Sequence, residues 1–119
     1  MLRGAGDQRS SMRGPARKSD TNTRARDQKA LFDALSKLES GKETARFLRD
    51  LATPAELEAF AERWRIARML DEGRHSYREI SAATGASTTT VGRVARFLRD
   101  ETHQGYRLVL DRYKDTSGE

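Results

Sequence analysis

The sequence predicts an all-α protein, because three features recur from Gln28 onward. Apolar residues return every three or four positions, as on one helix face, and no segment keeps the period of two that marks a strand. Serine or threonine followed three residues later by glutamate opens two of the apolar runs, as at a helix N-terminus. Glycines separate several runs. An all-helical domain is therefore expected.

Composition limits the size of the core. Of 119 residues, 35% are hydrophobic and 34% charged, so a partner subunit would help to bury the apolar faces. The absence of cysteine excludes disulfides and thiolate metal sites. No apolar run has the length of a signal peptide or a membrane span, so we expect a cytoplasmic protein without a membrane partner.

Charge is unevenly distributed along the chain. Residues 1–27 are polar, basic and almost devoid of apolar side chains, which predicts a disordered arm, followed by a helical domain over 28–114 and a polar tail over 115–119. The segment 63–99 carries eight arginines against three acidic residues, giving +5, and is flanked by acidic segments. A basic face of this kind favours a polyanionic partner.

The first two predicted helices are short and amphipathic. Leu31, Leu35 and Leu38 form the stripe of the first helix, with Gly41 as its stop. A second helix is expected at about 43–51. Its apolar side consists of Phe47, Leu48 and Leu51.

A longer helix is predicted from Pro54 to about Glu72. Thr53 and Glu56 form a capping box around Pro54, and Gly73 is the expected C′ residue. Its apolar positions are Leu57, Phe60, Ala61, Trp64, Ala67, Ile66, Met69 and Leu70. We interpret Trp64 as a core anchor rather than a ligand platform.

Two shorter helices follow, joined by a turn with glycine. Ser76 and Glu79 form a second capping box, which predicts a helix from Tyr77 to about Thr84. Ser87 is placed to cap the next helix, 88–99, after Gly85 breaks the chain. The positions expected to face inward are Ile80 and Ala83, then Val91, Val94, Ala95 and Leu98. A last helix carries the stripe Tyr106, Val109, Leu110 and Tyr113.

This pair of helices, at about 77–98, has the spacing of a helix-turn-helix. Counting from Tyr77, Gly85 is at the ninth position, where the turn needs a left-handed backbone. Thr84, at the eighth, is a weaker fit than an aliphatic residue.

The second helix of the pair begins with Thr88, Thr89 and Thr90, although β-branched residues are poor helix formers. Short hydroxylated side chains suit a helix tip that enters the DNA major groove, because they reach base edges and phosphates without holding the helix away. Gly92 leaves clearance on that face. The remaining predicted contacts are Ser87 at the tip and Arg78, Arg93 and Arg96 for phosphates.

The segment TPAELEAFAERWRIARMLDEGRHSYREISAATGASTTTVGRVARFL resembles the core of the Trp repressor family, and with LFDALSKL and GYRLVLDRY it is most similar to the YerC/YecD-like branch. The resemblance covers roughly 28–114. It implies an intertwined homodimer that reads a two-fold symmetric operator on double-stranded DNA and regulates transcription. The family's DNA contacts correspond here to Tyr77, Arg78, Thr88, Thr89, Thr90 and Gly92.

The resemblance also implies a tryptophan pocket, to which Thr53, Arg63 and Arg93 would correspond. Val94 replaces a glycine beside the second arginine, and Phe97 replaces a serine that receives the ligand's amino group. Both changes add bulk where the indole would sit, so we expect no response to tryptophan, and the sequence indicates no other effector.

No enzymatic function is expected. His75 and His103 lie far apart in the sequence without a metal-binding pattern, and there is neither a phosphate loop nor a nucleophile elbow, so we predict no catalytic residues, metal or cofactor. The alternative to a DNA-binding regulator is a protein-interaction module that uses the same fold to bind another regulator or a polymerase subunit.

Overall fold

Six α-helices and no strand make up residues 18–117 in the computed structural model, which describes the backbone of these residues and the side chains of residues 20–115. The all-α prediction is confirmed. The helices are α1 Lys18–Ser36, α2 Gly41–Leu51, α3 Pro54–Glu72, α4 Tyr77–Thr84, α5 Thr88–Arg99 and α6 Gly105–Ser117. The chain divides between Arg46 and Phe47, within α2, into two compact units.

The first unit contains α1, which begins earlier than the sequence indicated. Disorder was expected through residue 27, but the helix starts at Lys18; residues 1–17 of the expected basic arm lie outside the described residues. Residues 20–30 are all exposed, so this extension is not held by burial. Asp20 lies in the first turn, where the helix dipole favours an acid, and stands four residues before Arg24, a spacing that supports a solvated helix.

Gly41 was expected to stop the first helix, but it begins the second. The α1 helix ends at Ser36, and Ser40 caps α2: its Oγ accepts a hydrogen bond from the Glu43 backbone N–H at 3.1 Å. The Glu43 side chain accepts in turn from the Glu39 N–H at 2.9 Å. Side-chain capping explains why the helix starts at a glycine, which has a low helix propensity.

The second unit is built around α3, whose predicted ends are confirmed. The Thr53 hydroxyl accepts from the Glu56 N–H at 3.1 Å and the Glu56 carboxylate accepts from the Thr53 N–H at 2.8 Å, with Pro54 at the first helical position. Gly73 ends the helix in the left-handed conformation at φ 75°. These interactions satisfy backbone groups that a helix end otherwise leaves unpaired.

The core of the second unit lies where α3, α4, α5 and α6 meet. Its buried residues are Ile66, Ala67, Leu70, Ile80, Ala86, Val91, Val94, Ala95, Leu98 and Leu110. Ala83 was expected inside but is exposed, because the chain turns after Thr84 and presents Ala86 to the core instead. Phe60 and Ala61, expected on the inner face of α3, are also exposed.

The α6 helix is attached to α3 by aromatic and ionic contacts. The Trp64 ring lies 6.5 Å from that of Tyr106 and 6.1 Å from that of Tyr113. Asp71 is bridged by Arg107 at 2.9 Å and Lys114 at 3.2 Å. Burial raises the pKa of Asp71, but the hydrogen bonds and charges of the two cations outweigh it, so the pKa lies below its usual value.

Half of the apolar stripe of α6 remains in solvent. Leu110 is buried and Tyr106 packs against the core, whereas Val109 and Tyr113 are 44% and 63% exposed. Leu108, which lies outside the stripe, is 54% exposed. The helix also continues through residue 117, beyond the predicted start of the polar tail at 115; residues 118–119 lie outside the described part.

Candidate nucleic-acid interface

The helix-turn-helix begins at a fixed point, because α4 has a complete capping box. The Ser76 Oγ accepts from the Glu79 N–H at 3.0 Å, and the Glu79 Oε1 accepts from the Ser76 N–H at 2.8 Å. Ile80, one turn further, is fully buried. The capping role accounts for Glu79 without assigning it any chemistry, and α4 has the predicted bounds Tyr77–Thr84.

The turn between α4 and α5 satisfies its own polar groups. Gly85 takes the left-handed conformation at φ 82°, and its N–H donates to the Ser81 carbonyl. The Thr84 hydroxyl donates to the Ile80 carbonyl at 2.8 Å and accepts from the Ala86 N–H at 3.2 Å. The Ser81 hydroxyl donates to the Ala86 carbonyl at 2.6 Å. Thr84 fits the motif less well than an aliphatic residue, but its two hydrogen bonds stabilise the turn.

One face of α5 is completely buried and the opposite face is open. Val91, Val94, Ala95 and Leu98 have the burial expected of them, and no more than 3% of any of these residues is exposed. The helix packs between α3 and α4 with this face inward. Its outer face is thereby held at a defined angle to the rest of the unit.

The tip of α5 contains four hydroxyl groups in two different situations. The Ser87 Oγ accepts from the Thr90 N–H at 3.1 Å and lies 3.1 Å from the Thr90 hydroxyl, so these two groups cap the helix. Thr88 and Thr89 are exposed. The first pair holds the helix start, and the second pair projects into solvent.

Tyr77 and Gly92 face each other across the two helices. A Cβ atom added at Gly92 would lie 3.9 Å from the Tyr77 Cε2 atom, which is ordinary van der Waals contact. The Tyr77 side chain remains 42% exposed. The expected clearance at Gly92 is thus shallow, because the tyrosine ring forms its floor.

Arginines continue the open face of α5 towards its C-terminus. The Arg93 and Arg96 guanidinium carbons lie 4.6 and 5.4 Å from the centroid of the Phe97 ring. The Arg96 Nε donates to the Glu101 carboxylate at 2.8 Å. Arg78 is exposed on α4. The arginines were predicted from the sequence, whereas their contact with Phe97 and the pairing of Arg96 with Glu101 were not.

A pocket of about 460 Å³ is lined in part by Arg93. Arg63 and Arg93 line it together, as the resemblance implied, but Thr53 is absent from the lining and serves as the α3 cap. The other lining residues are Trp64, Val94, Phe97, His103, Gln104, Gly105, Tyr106 and Val109. Trp64 therefore packs against the core and also forms a pocket wall, so its interpretation as a core anchor alone was incomplete.

The two histidines lie in different surroundings: His75 contacts Glu72, and His103 lies at the pocket. His75 Nε2 lies 2.9 Å from the Glu72 carboxylate, and this hydrogen bond, followed by that of Arg74, lowers the pKa of Glu72. His103 lines the pocket.

Within the described residues, no three His, Cys, Asp or Glu side chains are grouped so that they could hold a metal ion. Among residues 18–117, none of the helices combines the length and hydrophobicity that crossing a bilayer requires.

Comparison with known proteins places this geometry in a family. The family model described as Trp repressor protein matches residues 26–114. The chain is 42% identical over 89 residues to the YerC protein of Bacillus subtilis (strain 168), covering 75% of this chain and 84% of that one. It is also similar to the crystal structure of a TrpR-like protein from Eubacterium eligens, with a TM-score of 0.65, 36% identity, and coverage of 71% of this chain and 86% of that one.

Proposed function

We propose that this chain, which belongs to the Trp repressor family, is a sequence-specific transcriptional regulator. Members of that family are DNA-binding regulators rather than enzymes. The proposed regulator reads a two-fold symmetric operator through α5. The observation that supports this most directly is the asymmetry of α5. Its inner face is buried in the core, whereas Thr88 and Thr89 project from its N-terminal tip. A helix held by one face and exposed along the other has the geometry with which recognition helices enter the major groove.

The tip is suited to reading bases at short range. Threonine hydroxyls both donate and accept hydrogen bonds, and their methyl groups can contact the thymine methyl. Since the Ser87 and Thr90 hydroxyls are used in the cap, we assign base contacts to Thr88 and Thr89 and a supporting role to Ser87 and Thr90.

Phosphate contacts are assigned to residues around the tip. Arg78 is exposed on α4, and Arg93 and Arg96 follow the tip along α5, supported by the Phe97 ring. Tyr77 lies beside Gly92 and exposes part of its ring on the same side. Phosphate contacts fix the position of the protein on the duplex without reading its sequence.

A homodimer accounts for the apolar side chains left in solvent. Phe60, Leu108 and Val109 are each at least 44% exposed, and contact with a second copy of the chain would remove apolar surface of this kind from water. Two copies related by a two-fold axis would present two α5 tips to half-sites roughly 34 Å apart, one turn of DNA. Sedimentation at micromolar concentration should give twice the mass of one chain.

We further propose that tryptophan is not the effector. Val94 and Phe97 both line the pocket that contains Arg63 and Arg93, and Phe97 supplies no hydroxyl group to receive an amino group where the resemblance implies a serine. Titration calorimetry with L-tryptophan should show no saturable heat in the micromolar range. Saturable binding there would overturn this part of the proposal.

The central experiment distinguishes base contacts, which give sequence preference, from phosphate contacts, which do not. The full chain is used to select duplexes from a random pool, and the selected duplex and a shuffled control are then titrated by fluorescence anisotropy. Thr89→Ala should lower the preference for the selected duplex, because a base contact is lost, whereas Arg78→Ala should weaken binding to both duplexes alike. The logarithm of affinity should fall with the logarithm of salt concentration at a slope of about 0.9 for each neutralised phosphate.

Two results would contradict the proposal. If Thr89→Ala and Thr88→Ala leave the preference unchanged, α5 is not the reading helix. If the wild-type chain forms no salt-dependent complex with any duplex, the protein-interaction alternative gains support.

A further inference from the structure

The turn between α5 and α6 places a carboxylate against one of the exposed arginines of α5. Glu101 follows the end of the helix, and its carboxylate Oε2 lies 2.8 Å from the Arg96 Nε. The Arg96 side chain is 63% exposed and that of Glu101 35% exposed, so the pair lies at the surface beside the α5 face assigned to DNA. Nothing in the fold requires an acid here for capping, because α5 ends with the Asp100 and Glu101 N–H groups both donating to the Arg96 carbonyl.

Glu101 is held in this position by the backbone of the turn. Its N–H donates to the Arg96 carbonyl at 3.2 Å, and its own carbonyl accepts from the Gln104 Nε2 at 2.6 Å. Gln104 takes a left-handed conformation, φ 52°, which is uncommon for a residue with a side chain. A glutamate on a turn fixed in this way loses less conformational entropy on pairing than one on a flexible loop.

Arg96 is enclosed on two sides. Its guanidinium lies over the Phe97 ring and its Nε–H is directed to Glu101. A phosphate that binds an arginine side-on uses the Nε–H together with a terminal N–H. Such a phosphate must therefore displace the Glu101 carboxylate, or bind the terminal nitrogens alone with that negative charge close by.

We propose that Glu101 is an intramolecular competitor of DNA phosphate at Arg96 and lowers the overall affinity of the protein for duplex DNA. This inference rests on the proposed function and adds a determinant that the arginine count alone does not indicate. Because phosphate contacts carry no sequence information, the effect is the same on every duplex. Glu101 thus lowers affinity and salt sensitivity without altering which sequence is preferred.

The test replaces Glu101 by glutamine and compares it with a matched control. Asp100→Asn removes the same charge one residue away, and the Asp100 side chain makes no hydrogen bond or ion pair with the described residues. Anisotropy titrations with the selected and shuffled duplexes, each about 30 base pairs and so long enough for two half-sites, should show tighter binding by E101Q than by D100N. The expected gain is about two- to fivefold on both duplexes, the range for an exposed ion pair.

Two further measurements identify the mechanism. The salt dependence of E101Q should be steeper than that of the wild type by up to about 0.9, one phosphate contact. In an Arg96→Ala background, E101Q should have no more effect than D100N, because the competitor has nothing left to occupy. Without DNA, ¹H–¹⁵N spectra should show slower exchange of the Arg96 Nε–H with water in the wild type and in D100N than in E101Q, because a carboxylate accepts a stronger hydrogen bond from a guanidinium than an amide oxygen does.

The possible failures are distinguishable. Equal gains for E101Q and D100N, or a gain for E101Q that persists in the Arg96→Ala background, overturn the inference and leave the proposed function standing. Weaker binding by E101Q also overturns it, since Glu101 would then orient Arg96 towards phosphate. A wild-type chain that binds no duplex overturns the inference and the proposed function together.

Discussion

The α5 and α6 helices both carry an apolar stripe in the sequence, yet only one of them buries it. In α5 the four apolar positions Val91, Val94, Ala95 and Leu98 all lie in the core. In α6 only Leu110 is buried, Tyr106 is partly buried against the core, and Val109 and Tyr113 remain 44% and 63% exposed. The difference shows that amphipathic spacing indicates which side of a helix is apolar, but not whether the rest of the chain covers that side.

The sharpest test of this contrast removes one apolar side chain from the stripe of each helix. Leu98→Ala, in α5, should cost about 2–5 kcal/mol of unfolding free energy, because it opens a cavity in a buried site. Val109→Ala, in α6, should change the stability within one subunit by no more than about 0.5 kcal/mol and should instead weaken self-association. Urea unfolding at matched protein concentrations, with sedimentation as the second readout, measures both. Equal losses of stability would contradict the contrast.

A smaller effect is expected from glycine replacements at the starts of the two regions. Gly85→Ala forces a side chain into a left-handed conformation at φ 82° and should cost about 1–2 kcal/mol, although the space around it is open. Gly105→Ala, at the first residue of α6, also meets open space and needs no left-handed backbone, so it should be near neutral. Thermal unfolding followed by circular dichroism compares the two. A neutral Gly85 variant would show that the turn can relax.

Removal of the α5 cap should cost less again. Ser87→Ala leaves the Thr90 N–H without its side-chain acceptor, for an expected loss of about 1 kcal/mol. Thr88→Ala, the neighbouring exposed hydroxyl, serves as the control and should leave stability within about 0.5 kcal/mol. Chemical denaturation distinguishes them, and equal losses would mean that Thr88 is structural rather than free for recognition.

The smallest effect concerns pH and the attachment of α6. The pKa of Asp71 is lower in the folded chain than in the unfolded one. Its ion pairs therefore stabilise the fold fully at pH values above the unfolded pKa of about 3.9. This contribution should be lost as pH falls from there through the lowered folded value. Asp71→Asn should therefore flatten the acid limb of a stability–pH profile. An unchanged slope would mean that Arg107 and Lys114 do not stabilise the ionised carboxylate.

The ends of α3 and α4 were predictable because their determinants are local. The Thr53 and Ser76 capping boxes and the left-handed glycines at 73 and 85 each depend on residues within one turn of sequence, and all four have the predicted role. Gly41 was misread for a related reason, because Ser40 and Glu43 form a local cap that the sequence argument overlooked.

The remaining differences depend on contacts that spacing does not encode. Ala83 is exposed and Ala86 buried because the path of the turn, not helical periodicity, decides which alanine meets the core. The pairing of Arg96 with Glu101 crosses the end of a helix, where the rule for neighbours three or four apart no longer applies. The early start of α1 involves no burial over residues 20–30 and so leaves no apolar pattern to read.

The hydroxyl groups of Ser81 and Thr84 close the α4–α5 turn entirely from within. Since neither Thr88 nor Thr89 takes part in that closure, replacement of either side chain leaves these hydrogen bonds in place. If α5 reads DNA as proposed, two residues can therefore change the preferred duplex while the turn that orients the helix stays the same.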